Sequence, residues 1–387
     1  MPRLYQRTIH IILKIQNGFL FLYDYKIMQM NKIISQKIAA GERISTEEGL
    51  WLYRSASLAQ LMEWAQTVRR RINGNKVFFN KNVHIEPTNI CSNRCLFCSY
   101  RRAQNEEGSW ALSLDEIAAI AQKYKHSDIT EVHIVGGVHP HWGFEVYKNM
   151  VAEVHKILPQ VHIKAFTAEE LWKMHESSNL PLADVLQQLK ALGLQSIPGG
   201  GAEVLQDAVR AKICPEKINS AAWLQVHQTA HNLGLSSNAT MLYGHVESYE
   251  DRMVHLGLLR DLQDHTRGFN AFIPLKYRKL HNDLSAVGEV STAEDCRNMA
   301  VCRLFLDNIP HLKAYWPMFG KSLVDNMLHY GADDLDGTID AGTQIYSMAG
   351  AEDTKPTMTV QELQAICRRN RFELTERDSL YKTVKKE

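Results

Sequence analysis

Downstream of Gly74, short apolar runs alternate with longer segments whose apolar residues recur every three or four positions, the spacing that gathers them on one face of a helix. The short runs predict strands at Val83–Glu86, Glu131–Val135, Val161–Phe166, Leu194–Ile197, Ser237–Leu242, Phe269–Pro274 and Leu312–Trp316. An eighth is expected just before Gly331-Ala-Asp-Asp-Leu-Asp-Gly337. The longer segments predict helices at Leu114–Lys123, Phe144–Leu158, Ala183–Leu192, Ala221–Leu233 and Glu250–His265. Strands and helices in strict alternation describe parallel βα units. Eight such units close a TIM-type (β/α)8 barrel of the α/β class, and six leave it partly open.

The barrel is expected over residues 76–340, with helical extensions at both ends. Residues 30–75 read as helical, with Ser45-Thr-Glu-Glu as a capping signal. Residues 341–387 read as a loop-rich run, a helix from Thr359 to Arg369 and a charged tail. Residues 1–29 read as an unstructured upstream extension, with Met28 or Met30 as a natural start. Its apolar runs, broken by Lys14, Gln16 and Asn17, are too short to cross a membrane.

In a parallel barrel the chemistry sits at the C-terminal mouths of the strands. Polar and glycine-rich groups fall there: Thr88–Cys98, Gly136–Pro140, Thr167–Glu170, Pro198–Glu203, Tyr243–His245 and Leu275–Arg278. A shared pocket explains that clustering. A formal net charge of +1 gives no electrostatic case for nucleic acid or an anionic membrane, and a small-molecule substrate is expected. The 7 cysteines are odd in number, and three crowd into one loop, which points to metal chemistry in a reducing, cytoplasmic setting rather than to disulfides.

That loop reads Cys91-Ser-Asn-Arg-Cys95-Leu-Phe-Cys98. Three thiolates can hold three irons of a cubane and leave the fourth open. A zinc knuckle is the competing reading, but it ordinarily needs a second pair of ligands, and none is evident. Cys214, Cys296, Cys302 and Cys367 lack cluster-like spacing and read as small buried apolar residues. Asp333, Asp334 and Asp336 superficially suggest a calcium loop but lack its spacing and distal glutamate; they read as loop and helix-cap carboxylates, with contact to substrate as a further role.

The Cys-x3-Cys-x2-Cys spacing, with an aromatic residue before the third cysteine, resembles the signature of the radical S-adenosylmethionine (SAM) superfamily. The resemblance implies a [4Fe–4S] cluster on Cys91, Cys95 and Cys98, with SAM chelating the open iron. It also implies that Phe97 and Tyr100 border the adenine and that Gly136 and Gly137 meet the methionyl amine. Glu203 would take the ribose hydroxyls and Arg210 the methionine carboxylate, against the plainer readings of a first-turn glutamate and a solvated arginine. A flavodoxin or ferredoxin is the natural electron donor for a low-potential cluster.

His133-Ile-Val-Gly-Gly-Val-His-Pro140, Lys164-Ala-Phe-Thr-Ala-Glu169, Cys214-Pro-Glu-Lys-Ile218 and Ser237-Asn-Ala-Thr-Met-Leu-Tyr-Gly-His245 narrow the resemblance to the menaquinone and deazaflavin branch, nearest the aminofutalosine synthases. This implies an adenosyl radical that adds to the enol ether of 3-[(1-carboxyvinyl)oxy]benzoate, with SAM as co-substrate. Expected substrate contacts are His139, Asn238, Thr240, Lys276 and Arg278, with His139 and His245 as candidates for proton transfer. Cyclic dehypoxanthine futalosine synthase and the second subunit of deazaflavin synthase are the alternatives within the branch. A non-catalytic iron–sulfur electron carrier or sensor is the alternative outside it.

Overall fold

The computed structural model describes residues 27–340, 343–350 and 357–384. Of the expected upstream extension, residues 1–26 lie outside the described residues, and 27–29 open helix α1 (27–40). Helices α2 (Thr46–Ser55) and α3 (Leu58–Asn73) follow. Ser45 caps α2 through a reciprocal capping box with Glu48, as its sequence predicts.

Seven strands pair in parallel and in chain order: β2 (Asn82–Ile85), β3 (Glu131–Ile134), β4 (His162–Ala165), β5 (Leu194–Ile197), β6 (Ser236–Tyr243), β7 (Phe269–Lys276) and β8 (His311–Leu312). Between them run α4 (Leu114–Gln122), α5 (Phe144–Ile157), α6 (Ala168–Ser178), α7 (Leu182–Ala191), α8 (Asp207–Ile213), α9 (Ser220–Asn232), α10 (Tyr249–Thr266) and α11 (Thr292–Phe305).

Alternation along each strand decides which way a side chain faces. Val132, Ile134, Ile163 and Ala165 join the apolar layer beneath the outer helices. Their neighbours Glu131, His133 and Lys164 face the barrel interior.

The ends of this curled sheet are brought together by one more strand. Lys313, just past β8, bridges Asp334 of β9 (Asp334–Gly337), and β9 pairs with β1 (Lys76–Asn80). β1 continues through Lys81 into β2, and the Asp340 N–H donates to the Asn82 carbonyl at 3.0 Å. The eighth strand therefore lies inside the Gly331–Gly337 segment and not before it, because Gly331, at φ 108°, turns the chain first. This also corrects the reading of the three aspartates as loop or cap carboxylates. Asp333 pairs with Arg303 and His311, Asp334 with Arg377 and Asp336 with Lys313, all buried.

The remaining elements are α12 (Trp316–Phe319), α13 (Val324–His329), α14 (Gln344–Ser347), α15 (Val360–Arg369) and β10 (Glu373–Glu376). β10 adds to the outer edge of β1, so the C-terminal segment contributes a strand as well as helices. At the other end, the buried Arg69 of α3 donates to the carbonyls of Ala332, Gly74 and Lys76, tying the N-terminal helices to the barrel wall.

Candidate active site

β2 ends at Ile85 and delivers the chain into the three-cysteine loop. The Thr88 hydroxyl donates to the Trp110 carbonyl and accepts from the Ile90 N–H, while the Cys91 N–H donates to the Arg102 carbonyl at 3.1 Å. On its inner side the loop leans on Gly136 and Gly137. A Cβ at Gly137 would lie 2.4 Å from the Ile90 carbonyl oxygen, and one at Gly136 would lie 2.7 Å from that of Thr88. The glycines permit this approach, and the Val138 N–H then donates to the Cys91 sulfur at 3.3 Å.

Cys95 is buried, whereas Cys91 and Cys98 are half-buried. Burial pushes the Cys91 thiol up and the Cys95 thiol well up, so the thiolate form depends on cationic charge, which bound iron supplies. Among the described residues no three His, Cys, Asp or Glu side chains converge to cage one ion. A cubane asks for something else, since each thiolate binds a separate iron. The soft thiolate donor set and the N–H···S hydrogen bond fit a cluster.

A cavity of about 250 Å³ opens beside this loop and descends into the barrel. Of the residues expected at the site, Phe97, Cys98, Tyr100, Glu203, Asn238 and Thr240 line it, as do Lys276 and Arg278. Thr240 donates to the Gly199 carbonyl at 2.6 Å, and the Tyr100 hydroxyl to the Thr88 carbonyl at 3.1 Å. The Lys276 ammonium is held by Asp295 at 2.8 Å and the Arg278 guanidinium by the carbonyls of Met318 and Gly350, so both cations arrive partnered.

Other expected residues lie elsewhere. His139 is stacked on Trp142, ring centres 4.6 Å apart, and does not line the cavity. His245 is sealed outside it, bonded to the Leu242 carbonyl and the Val246 N–H beside Glu247. Arg210, buried rather than solvated, turns its fork onto the carbonyls of Gly201, Ala202 and Ile218 and lies 3.4 Å from Glu169, bracing the glycine loop.

Glu203 adopts φ 46°, a left-handed backbone that costs a residue with a Cβ about 1 kcal/mol. Its carboxylate meets Lys217 at 2.6 Å, and the Lys217 ammonium lies 5.7 Å from the centre of the Phe97 ring. Asp336, which lines the same cavity from β9, is left-handed as well. Strain of this kind concentrates where a site must be held in one shape.

Comparison with known proteins agrees with this geometry. Residues 85–259 match the Radical SAM superfamily, and residues 266–386 match the CofH/MqnC C-terminal region. The aminodeoxyfutalosine synthase of Thermus thermophilus is 40% identical over 356 residues, covering 91% of this chain and 95% of that protein. The chain belongs to the radical SAM superfamily. It is a radical SAM enzyme of the menaquinone and deazaflavin branch, using a [4Fe–4S] cluster and SAM. The Streptomyces coelicolor aminodeoxyfutalosine synthase is 36% identical, covering 92% of this chain and 94% of its own. A 4-hydroxyphenyl transferase from Methanocaldococcus jannaschii, acting on 5-amino-6-(D-ribitylamino)uracil and L-tyrosine, is 35% identical over 89% of this chain and 98% of that one. Among solved structures, methylornithine synthase (PylB) superposes with a TM-score of 0.68 at 18% identity, over 87% of this chain and 95% of that one, a likeness of fold. No helix among the described residues is long and apolar enough to cross a membrane.

Two sets of residues around this radical SAM site escaped the motif reading. Lys217 reaches the site from the loop after α8, and nothing in Cys214-Pro-Glu-Lys-Ile218 marks where its ammonium points. The second set is the polar inner layer of the barrel, where His84, Glu131, His133, Lys164, Lys313 and Asp336 line the deep part of the cavity. A signal for these was present. Histidine or charge recurs at every second position in His84-x-Glu86, Glu131-x-His133, His162-x-Lys164 and Asp334-x-Asp336, with an apolar residue between each pair.

Proposed function

We propose that this enzyme joins the adenosyl group of SAM to 3-[(1-carboxyvinyl)oxy]benzoate, with aryl migration and loss of one carboxylate as carbon dioxide or bicarbonate, to give aminofutalosine. SAM is then a co-substrate whose adenosine part remains in the product, and the step belongs to menaquinone biosynthesis. The observation that carries the reading is the 40% identity with the Thermus synthase across nearly the full length of both chains. The cavity suits such a substrate: apolar Val135, Leu242 and Leu275 line it near the cysteine loop, while its deeper part carries charge.

A [4Fe–4S] cluster held by Cys91, Cys95 and Cys98 would supply the electron for reductive cleavage of SAM. The protein's own task is positional. Phe97 and Tyr100 flank the adenine, the backbone at Gly136 and Gly137 meets the methionyl amine, and Glu203 takes the ribose hydroxyls after parting from Lys217. Asn238 and Thr240 fix the substrate near the cluster, and Arg278 meets the carboxylate of the vinyl group. The enclosed barrel keeps water from the radical. A flavodoxin or ferredoxin delivers the electron.

The test is anaerobic turnover of the reconstituted enzyme with SAM, dithionite and the enol ether, read by mass spectrometry. A product containing the intact adenosine unit is expected. Release of 5′-deoxyadenosine with the enol ether untouched would instead place the enzyme with a sibling such as cyclic dehypoxanthine futalosine synthase, to which the chain is 35% identical in Streptomyces coelicolor.

A further inference from the structure

Strand direction orders the cavity: the cysteine loop follows the C-terminal end of β2, and residues earlier in each strand lie deeper. At that depth His84 of β2 and His133 of β3 occupy paired positions, their rings 4.8 Å apart and at 71°. Both line the cavity, and among the described residues the Nε2 of each is buried without a hydrogen-bond partner. A buried polar atom left unmatched is costly, and a native site that keeps two of them side by side is built for something that completes them. Burial pushes His84 down to about 4 and His133 well below its usual value, so each ring is neutral and holds a single N–H.

The neighbouring charges fix what can complete the pair. Lys164 lies 2.6 Å from Glu131, and Lys313 is paired with Asp336. Each ammonium carries three donors against one carboxylate partner, and both carboxylates are already engaged. The layer is neutral overall, two ammonium groups against two carboxylates, but each ammonium keeps N–H donors beyond its carboxylate contact. A carboxylate matches this, offering two oxygens with several lone pairs to a group of N–H donors. A neutral apolar ring end does not.

We propose that His84 and His133, flanked by Lys164 and Lys313, form a subsite that receives the carboxylate of an aromatic acid, the benzoate end of the substrate. The identity of that acid rests on the function proposed above. With the benzoate seated there, the vinyl ether is directed toward Phe97 and Cys98, past the apolar Val135 and Leu275. The subsite thus sets which end of the molecule meets the radical, making the two histidines residues of substrate orientation and specificity.

The experiment is calorimetric titration of the cluster-loaded protein with 3-methoxybenzoate and with its uncharged methyl ester. Wild type is expected to prefer the acid by roughly ten- to hundredfold, the range for hydrogen bonds to a charged group. His84→Leu and His133→Leu should each abolish most of that preference, with iron content and circular dichroism unchanged, and His133→Gln should restore part of it. Should the leucine variants fail to fold, His84→Asn and His133→Asn, whose shorter amides withdraw the donor, are judged by the same criterion. Equal binding of acid and ester by wild type, or an undiminished preference in the variants, overturns the subsite. Turnover separates the two claims. If wild type converts the enol ether and the variants keep its KM, the subsite falls and the reaction stands. If the preference for the acid depends on the histidines but the enol ether is never converted, the reaction falls and the subsite stands.

Discussion

A Cβ placed on Gly137 would lie 2.4 Å from the Ile90 carbonyl oxygen and 3.1 Å from the Cys91 Cβ, atoms fixed to the loop backbone with no flexible side-chain end to yield. Gly137→Ala must therefore push the cysteine loop away from β3, at about 1–3 kcal/mol if the strain is absorbed locally. We expect the variant to keep its far-ultraviolet circular dichroism and lose most of its bound iron and sulfide after reconstitution; full cluster content would contradict the packing argument. That Cys91, Cys95 and Cys98 fall together was legible because they sit within one short loop, where spacing alone restricts geometry. The Glu203–Lys217 pair was not. Its members lie on different segments, and only the left-handed backbone at Glu203 and the course of the following loop bring them together.

Helix α6 shows how a connection becomes part of the site. Thr167 directly follows the turn out of β4, lines the cavity and caps α6, with Glu170 completing the capping box. Burial pushes the Glu170 carboxyl up to about 7, against hydrogen bonds from Thr167 that pull the other way. The unfolded chain releases that proton near its ordinary value, so between roughly pH 4.5 and 7 the native state binds the extra proton and stability falls as pH rises. Above that window the native state carries a poorly solvated charge, a penalty of order 3 kcal/mol at most. Glu170→Gln keeps an N3 acceptor for the cap and removes the charge. Thermal melts should show it more stable than wild type at pH 8 and little changed at pH 5; a variant destabilised at pH 8 would mean that the carboxylate helps the fold. Periodicity found α5, α7, α9 and α10 to within a residue or so but passed over α11, whose buried residues surround it on nearly every side. A helix without a polar face has no stripe to read.

Closure of the barrel depends on contacts between segments far apart in the chain. β9 joins β8 to β1, and the buried Arg377, just past β10, pins it by donating to Asp334 at 2.6 Å. Asp334→Ala would leave that guanidinium buried and uncompensated, a loss of about 3–5 kcal/mol. Chemical denaturation should show the corresponding drop in midpoint, and a loss under 1 kcal/mol would mean that β9 is held mainly by its strand hydrogen bonds. The α/β class, the parallel units, the helical ends and the three-cysteine loop could all be read in advance, because each depends on residues close in sequence: a period of two or of 3.6, a cap, a Cys-x3-Cys-x2-Cys run. Where the eighth strand lies, which of the polar residues in the strands share a cavity, and why Arg210 and His245 face away from it depend on how distant segments meet. A strand's alternation says that two faces exist, but which face looks into a closed barrel is set only when all the strands have paired around it.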